Sequence, residues 1–192
     1  MSKLMAISLL ALCTVLFGCG TKTVPLPPPT TEAIAAFSAA AYSGNAAQVA
    51  KALRNGMPVD QKEGNGNSAL MLASFDGHIE TIQVLLDAGA DINLRDSMER
   101  TALMFASSGP YPAAVKLLLA HDANINLTDK DEHFTALMFA AAEGLSPIVD
   151  ILLEAGADPT LKDKDDDTAA SFARKRGFTA LADKLQALID AP

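Results

Sequence analysis

From Thr31 onward the apolar residues fall into short clusters separated by glycine and charged residues, and the clusters have helical spacing. Ile82, Leu85 and Leu86 form a stripe at i, i+3 and i+4, the pattern of one buried helix face. Leu70, Leu103 and Leu137 begin the apolar face of a separate helix that precedes such a stripe. The predicted unit is therefore a pair of short helices. Ahead of Thr31 the pattern differs. Leu4 to Phe17 is an uncharged, mostly apolar run of 14 residues, followed by a proline-rich stretch.

The pairs repeat. Ser68-Ala-Leu-Met71 recurs as Thr101-Ala-Leu-Met104, Thr135-Ala-Leu-Met138 and, more loosely, Thr168-Ala-Ala-Ser171, at spacings of 33, 34 and 33. A second signature runs in register with it, from Asp87-Ala-Gly-Ala-Asp-Ile-Asn93 through Ala120-His-Asp-Ala-Asn-Ile-Asn126 to Glu154-Ala-Gly-Ala-Asp158. Ser68, Thr101, Thr135 and Thr168 are placed to cap the first helix of each pair. Gly89 and Gly156 follow the second helix and suit a left-handed residue; Asp122 holds that place in the middle repeat and tolerates it less well. Neither helix of a pair buries its face alone, so neighbouring pairs have to stack into one core.

A 33-residue period carrying these two signatures resembles the ankyrin repeat. Gly77-His78 and Val84-Leu85-Leu86 match the family pattern closely. The resemblance implies an all-α solenoid of stacked helix-turn-helix units with hairpin loops. About five repeats are expected, at 31–64, 65–97, 98–130, 131–164 and 165–191, the end ones being divergent caps. Ala69, Ala102 and Ala136 replace the family's proline, and Met71, Met104 and Met138 its histidine, so methionine packing has to substitute for the histidine's bond to the capping residue. Pro110-Tyr111-Pro112 is expected to shorten a helix or re-aim a loop in the middle repeat. Lys130 to Phe134 carries an extra residue at a hairpin tip. In the last repeat Arg174-Lys175-Arg176 and Asp183-Lys184 are expected to face water, while Phe172, Leu181, Leu185 and Leu188 face inward.

The chain's start reads as an address. Lys3 and the apolar run after it have the form of a secretory signal, and the run is shorter than the roughly 20 residues a spanning helix needs. Its end, Leu16-Phe17-Gly18-Cys19, resembles the lipobox of bacterial lipoproteins. That resemblance implies removal of residues 1–18 and a lipid on Cys19. Gly20 in place of an aspartate leans towards the outer membrane, with the chain facing the periplasm. Residues 19–30 follow as the lipidated N-terminus and tether; Pro25, Pro27, Pro28 and Pro29 favour an extended, semi-rigid spacer.

Charge and composition narrow the function. A formal charge of −8 argues against nucleic acid as a partner. Cys13 and Cys19 are the only cysteines, so cleavage before Cys19 leaves no thiol in the folded part. His78, His121 and His133 lack the spacing of a helical metal site. Asp163 to Asp167 lacks the glycine and glutamate of a calcium loop and reads as a solvated hairpin tip, a weak calcium site being the alternative. No catalytic constellation and no cofactor are expected.

By the resemblance, a concave face combining hairpin tips with exposed first-helix positions binds another protein. The repeat register gives Tyr42, Phe75, Ser108, Ala142 and Lys175 as the helix positions. Tyr42 and Phe75 are candidate anchors in adjacent repeats, and Arg95, Met98, Arg100 and His133 are candidate contacts at the tips. The expected protein is a monomeric, lipid-anchored envelope module that binds, chaperones or inhibits another protein. A docking component of an envelope complex is the alternative, and a hydrolase or metal enzyme a more distant one.

Overall fold

The computed structural model describes residues 27–191, so the apolar leader, the lipobox and Cys19 lie outside the described residues. Ten helices run in five antiparallel pairs: α1 (Thr31–Tyr42) with α2 (Ala46–Arg54), α3 (Ala69–Phe75) with α4 (Ile79–Asp87), α5 (Ala102–Ser107) with α6 (Pro112–Ala120), α7 (Ala136–Ala142) with α8 (Ser146–Glu154), and α9 (Ala169–Lys175) with α10 (Thr179–Ile189). First helices pack on first helices, and α2, α4, α6 and α8 pack on one another in turn. The result is a two-layered solenoid, all-helical among the described residues apart from an isolated bridge between Lys62 and Ser68. Among those residues no helix is long and apolar enough to cross a membrane.

The core is one column per sequence register. Leu85, Leu118, Leu152 and Leu185 are each 0% exposed at equivalent places in consecutive second helices. Met71, Met104 and Met138 are buried in the first-helix layer, where unbranched thioethers fill the space between repeats. Met71 also closes a capping box: the Ser68 side chain accepts the Met71 N–H, and Met71 Sδ accepts the Ser68 N–H at 3.4 Å. The sulfur thus partly replaces the polar contact that a histidine would make.

Three expectations need correction. Thr135 and Thr168 cap their helices through their side chains, but Thr101 makes no such bond. Its φ of −107° is the most extended of the four, and its helix has six residues where α3, α7 and α9 have seven. Pro112 stands at the first turn of α6, so the Pro-Tyr-Pro segment has shortened the first helix of the middle pair. Leu188 does not face inward; it is 45% exposed, while Leu181 and Leu185 of the same helix are buried. Asp163 is buried rather than solvated, as the hairpin geometry below explains.

The repeats are also tied by polar bonds at equivalent positions. Asp60, Asn93 and Asn126 side chains accept the backbone N–H of Asp91, Asn124 and Asp158 in the next repeat, at 3.0, 2.8 and 3.0 Å. His78 Nε2 donates to the Tyr42 carbonyl at 2.9 Å, which pins the turn of the second pair to the end of α1.

The middle repeat is strained at the end of its second helix. Asp122 has φ +63°, where Gly89 and Gly156 stand in its neighbours. Asp122→Gly should raise stability by about 1 kcal/mol, because a β-carbon is disfavoured in that conformation. Urea unfolding checks this; an unchanged midpoint would contradict it.

Candidate functional site

Three of the hairpin tips are each built on one aspartate. Asp96 Oδ1 accepts the N–H groups of Met98 and Arg100 at 2.9 and 2.8 Å. Asp129 Oδ1 accepts those of Glu132 and Phe134, and Asp163 Oδ1 those of Asp165 and Asp167. Each carboxylate is buried because it replaces water as the acceptor for otherwise orphaned donors. Asp163 is therefore a turn residue. Among the described residues no group of three or more histidines, cysteines or acids converges as a metal site.

The tips are joined into one edge. Ser97 N–H donates to Asn65 O, Lys130 N–H to Met98 O at 2.8 Å, and Lys164 N–H to Glu132 O at 3.1 Å. Side chains reinforce this: Lys62 Nζ donates to Arg95 O, Arg95 pairs with Glu99 at 2.7 Å, and Lys164 pairs with Glu132 at 2.6 Å. The bond to Glu132 raises the Lys164 pKa, and the bond to Asp167 raises that of Lys175. Both pairs are exposed, so they orient the tips more than they stabilise them.

Beside this edge runs an aromatic row. Tyr42 and Phe75 stack with ring centroids 6.4 Å apart and planes at 19°. Phe75 meets Phe105 edge-on at 6.2 Å. Arg100 lies 4.7 Å over the Phe105 ring while its guanidinium pairs with Asp96 at 2.7 Å. Tyr42 and Phe75 remain 49% and 42% exposed, and Met98 at the adjacent tip 39%. A depression of about 310 Å³ beside Tyr42 is lined by Ala35, Ser38, Leu72 and Glu63. Exposed, mutually braced aromatic rings offer contact area with little side-chain entropy left to lose on binding.

The other candidate positions take varied roles. Ser108 and Ala142 are half-buried, and the Ser108 hydroxyl donates back to the Phe105 carbonyl at 2.8 Å. Lys175 lies 5.7 Å from the Phe172 ring and pairs with Asp167. Arg95 is held by Glu99, and Arg100 by Asp96 and Phe105. His133 is exposed at φ +61°, at the tip that carries the extra residue. The structure thus links Tyr42, Phe75 and, through Phe105, Arg100 along one row, while Met98 lies on the hairpin tip whose Asp96 holds Arg100. Ala142 and His133 lie further along, where Phe134 meets Phe139 and Phe172 in a second cluster at 5.5 and 4.8 Å.

Sequence reasoning missed Phe105 and the tip aspartates. Both carried a signal: Phe105, Phe139 and Phe172 recur at 34 and 33 residues, and Asp96, Asp129 and Asp163 at 33 and 34.

Asp158 has its pKa lowered by the Thr160 hydroxyl and then by the Thr160 N–H, both of which bond its carboxylate. A depressed folded value contributes stability above the unfolded pKa, and that contribution is lost as pH falls through the folded value. Thr160→Val should therefore move the Asp158 midpoint upward in a carbon-13 NMR titration. An unmoved midpoint would assign the depression to the backbone bond alone.

Stacked helix pairs, capped first helices and hairpin tips tied edge to edge define a repeat solenoid. A family profile described as ankyrin repeats, in three copies, matches residues 10–96, 36–131 and 89–163. The chain belongs to the ankyrin-repeat family, whose members typically mediate protein–protein interaction without catalysis. No curated protein matches the chain. The α9–α10 pair lies beyond the matched residues but repeats the same register.

Proposed function

We propose that this chain is a non-enzymatic binding module anchored by lipid at Cys19 in a bacterial envelope. It faces the periplasm, with the outer membrane favoured, and binds, chaperones or inhibits another envelope protein. The observation that carries the binding reading is the aromatic row Tyr42–Phe75–Phe105, whose first two rings stay exposed. The anchoring rests on Leu16-Phe17-Gly18-Cys19 at the end of the apolar leader. The module acts as a monomer with no cofactor, and its acidity disfavours nucleic acid as the ligand. A docking role in a larger envelope complex would use the same face.

Affinity capture from crosslinked envelopes tests the binding reading, comparing the native chain with a Tyr42→Ala, Phe75→Ala variant of matched thermal stability. The native chain should retain a partner that the variant loses. A partner held equally by both would remove the row from the interface. A soluble 1:1 complex favours inhibition or chaperoning, and a large membrane complex favours docking. Cys19→Ala should release the chain from membranes; continued membrane retention would sink the lipid anchor.

A further inference from the structure

The first hairpin tip departs from the three that follow it. Asp96, Asp129 and Asp163 are each buried over N–H groups of their own turn. The same register one repeat earlier, 33 residues before Asp96, holds Glu63. Here Asn65 Oδ1 takes the acceptor's place, receiving the Asn67 N–H at 3.1 Å. Among the described residues the Glu63 carboxylate has neither an ion pair nor a hydrogen bond. The cations nearest in sequence are committed elsewhere: Lys62 Nζ donates to Arg95 O, Arg95 pairs with Glu99, and Arg100 with Asp96. The second tip shows what such an acid can hold. Asp96 grips the Arg100 guanidinium at 2.7 Å, and that group lies 4.7 Å over the Phe105 ring. In the first repeat the register puts Asn67 where Arg100 stands. The first tip therefore keeps a carboxylate and lacks the arginine.

Glu63 and the half-exposed Tyr42 line one depression, the one of about 310 Å³ beside the aromatic row. Ala35, Ala39 and Leu72 make its apolar wall, and Glu63 is the only charged residue among those lining it. Ser38 completes the wall; it is 3% exposed, and its hydroxyl has no hydrogen-bond partner among the described residues. We infer that this depression receives an arginine side chain of the partner protein. The inference rests on the binding reading above and names the chemistry by which that face recognises its partner.

Three arguments select this occupant. First, charge: an unpaired carboxylate in a partly apolar wall calls for a cation, and a charge-assisted bond there is stronger than one in open water. Second, shape: small ligand pockets begin at about 300 Å³, so the depression suits one long side chain rather than a cofactor. The aliphatic stem of an arginine can lie along Ala35, Ala39 and Leu72 while its head reaches the acid. Third, donors: a planar guanidinium carries five N–H groups and stacks on aromatic faces. It can serve the Glu63 carboxylate and the Ser38 hydroxyl together and still lie against Tyr42. A lysine ammonium offers neither the fork nor the flat face. The occupied site would reproduce between two chains the arrangement that Asp96, Arg100 and Phe105 make within one.

An NMR titration of the full-length chain in uncharged detergent tests the site. Tyr42 and Tyr111 are the only tyrosines, so carbon-13 labelling of tyrosine rings gives one reporter in the depression and one outside it. The probe is N-acetyl-arginine N-methylamide, and its neutral citrulline isostere is the control. At low salt the arginine probe should move the Tyr42 signal saturably and leave Tyr111 in place. The citrulline probe should bind about tenfold more weakly, and Glu63→Gln should weaken the arginine probe by about the same factor. Glu143→Gln removes the same charge from an exposed position in the fourth repeat and should leave the titration unchanged. No movement of Tyr42, equal binding of citrulline, or an unchanged titration in Glu63→Gln would each overturn the inference. Equal weakening by Glu143→Gln would assign the effect to overall negative charge and overturn it as well. Affinity capture separates this inference from the binding reading. A partner lost with Tyr42→Ala, Phe75→Ala but held undiminished by Glu63→Gln overturns the arginine site alone; a partner held by both variants overturns the binding reading with it.

Discussion

Gly77→Ala is expected to destabilise the stack by about 2–4 kcal/mol. Gly77 has φ +67°, and an L residue there costs about 1–2 kcal/mol. The new β-carbon would also stand 2.7 Å from Tyr111 Cβ and closer still to the ring atoms Cγ and Cδ1. Tyr111 cannot swing aside easily. It is half-buried, its backbone begins α6, and Pro112 follows it. Overpacking of that kind adds about 1–3 kcal/mol. Gly89→Ala is the control: Gly89 has φ +83°, but nothing lies within 4 Å of its added carbon. It should show the conformational cost alone, about 1 kcal/mol. Denaturant unfolding of both variants measures the difference. Equal losses at the two glycines would mean that the second repeat's turn is not held by Tyr111.

Leu118→Ala should cost about 2–5 kcal/mol, the usual range for emptying a fully buried leucine site. Leu118 is 0% exposed and sits in the middle of the column Leu85–Leu118–Leu152–Leu185. Its repeat is already the weakest by geometry, with the shortest first helix, no side-chain cap at Thr101 and an aspartate at positive φ. In a solenoid, stability is close to a sum of repeat and interface terms, so a cavity here weakens both neighbouring contacts. Unfolding should therefore lose cooperativity, with the two halves melting apart. Leu185→Ala empties an equally buried site at the end of the column, and there only the last pair should fray. Calorimetry distinguishes the two. A single sharp transition in Leu118→Ala, as broad as in the native chain, would contradict the weak-middle reading.

How far the fold could be read in advance follows from what a repeat encodes. A capping Ser or Thr, a leucine stripe and a glycine after the helix act within one repeat, and each recurs, so the period exposed them. Leu188 was misplaced because the stripe alone does not say which of its positions a neighbouring helix covers. Asp163 was misread because its neighbours Lys164, Asp165 and Asp166 are exposed charges; only the turn geometry turns one carboxylate inward onto two N–H groups. The aromatic pair Tyr42 and Phe75 was visible as a register coincidence. Phe105 was not, since it occupies a different column and reaches Phe75 diagonally between repeats. Arg100 read as a free contact, yet it is held by a carboxylate on one side and a ring on the other, a combination only packing reveals.

The central claim is that the face carrying Tyr42 and Phe75 contacts the partner. Site-specific photo-crosslinking in intact envelopes tests it most directly. One chain carries the photoreactive residue at Phe75 and the other at Lys116, which is exposed on α6 in the outer layer of helices. A discrete crosslinked species from Phe75 and none from Lys116 is the predicted result. A species from Lys116 alone, or the same species from both, would contradict the claim.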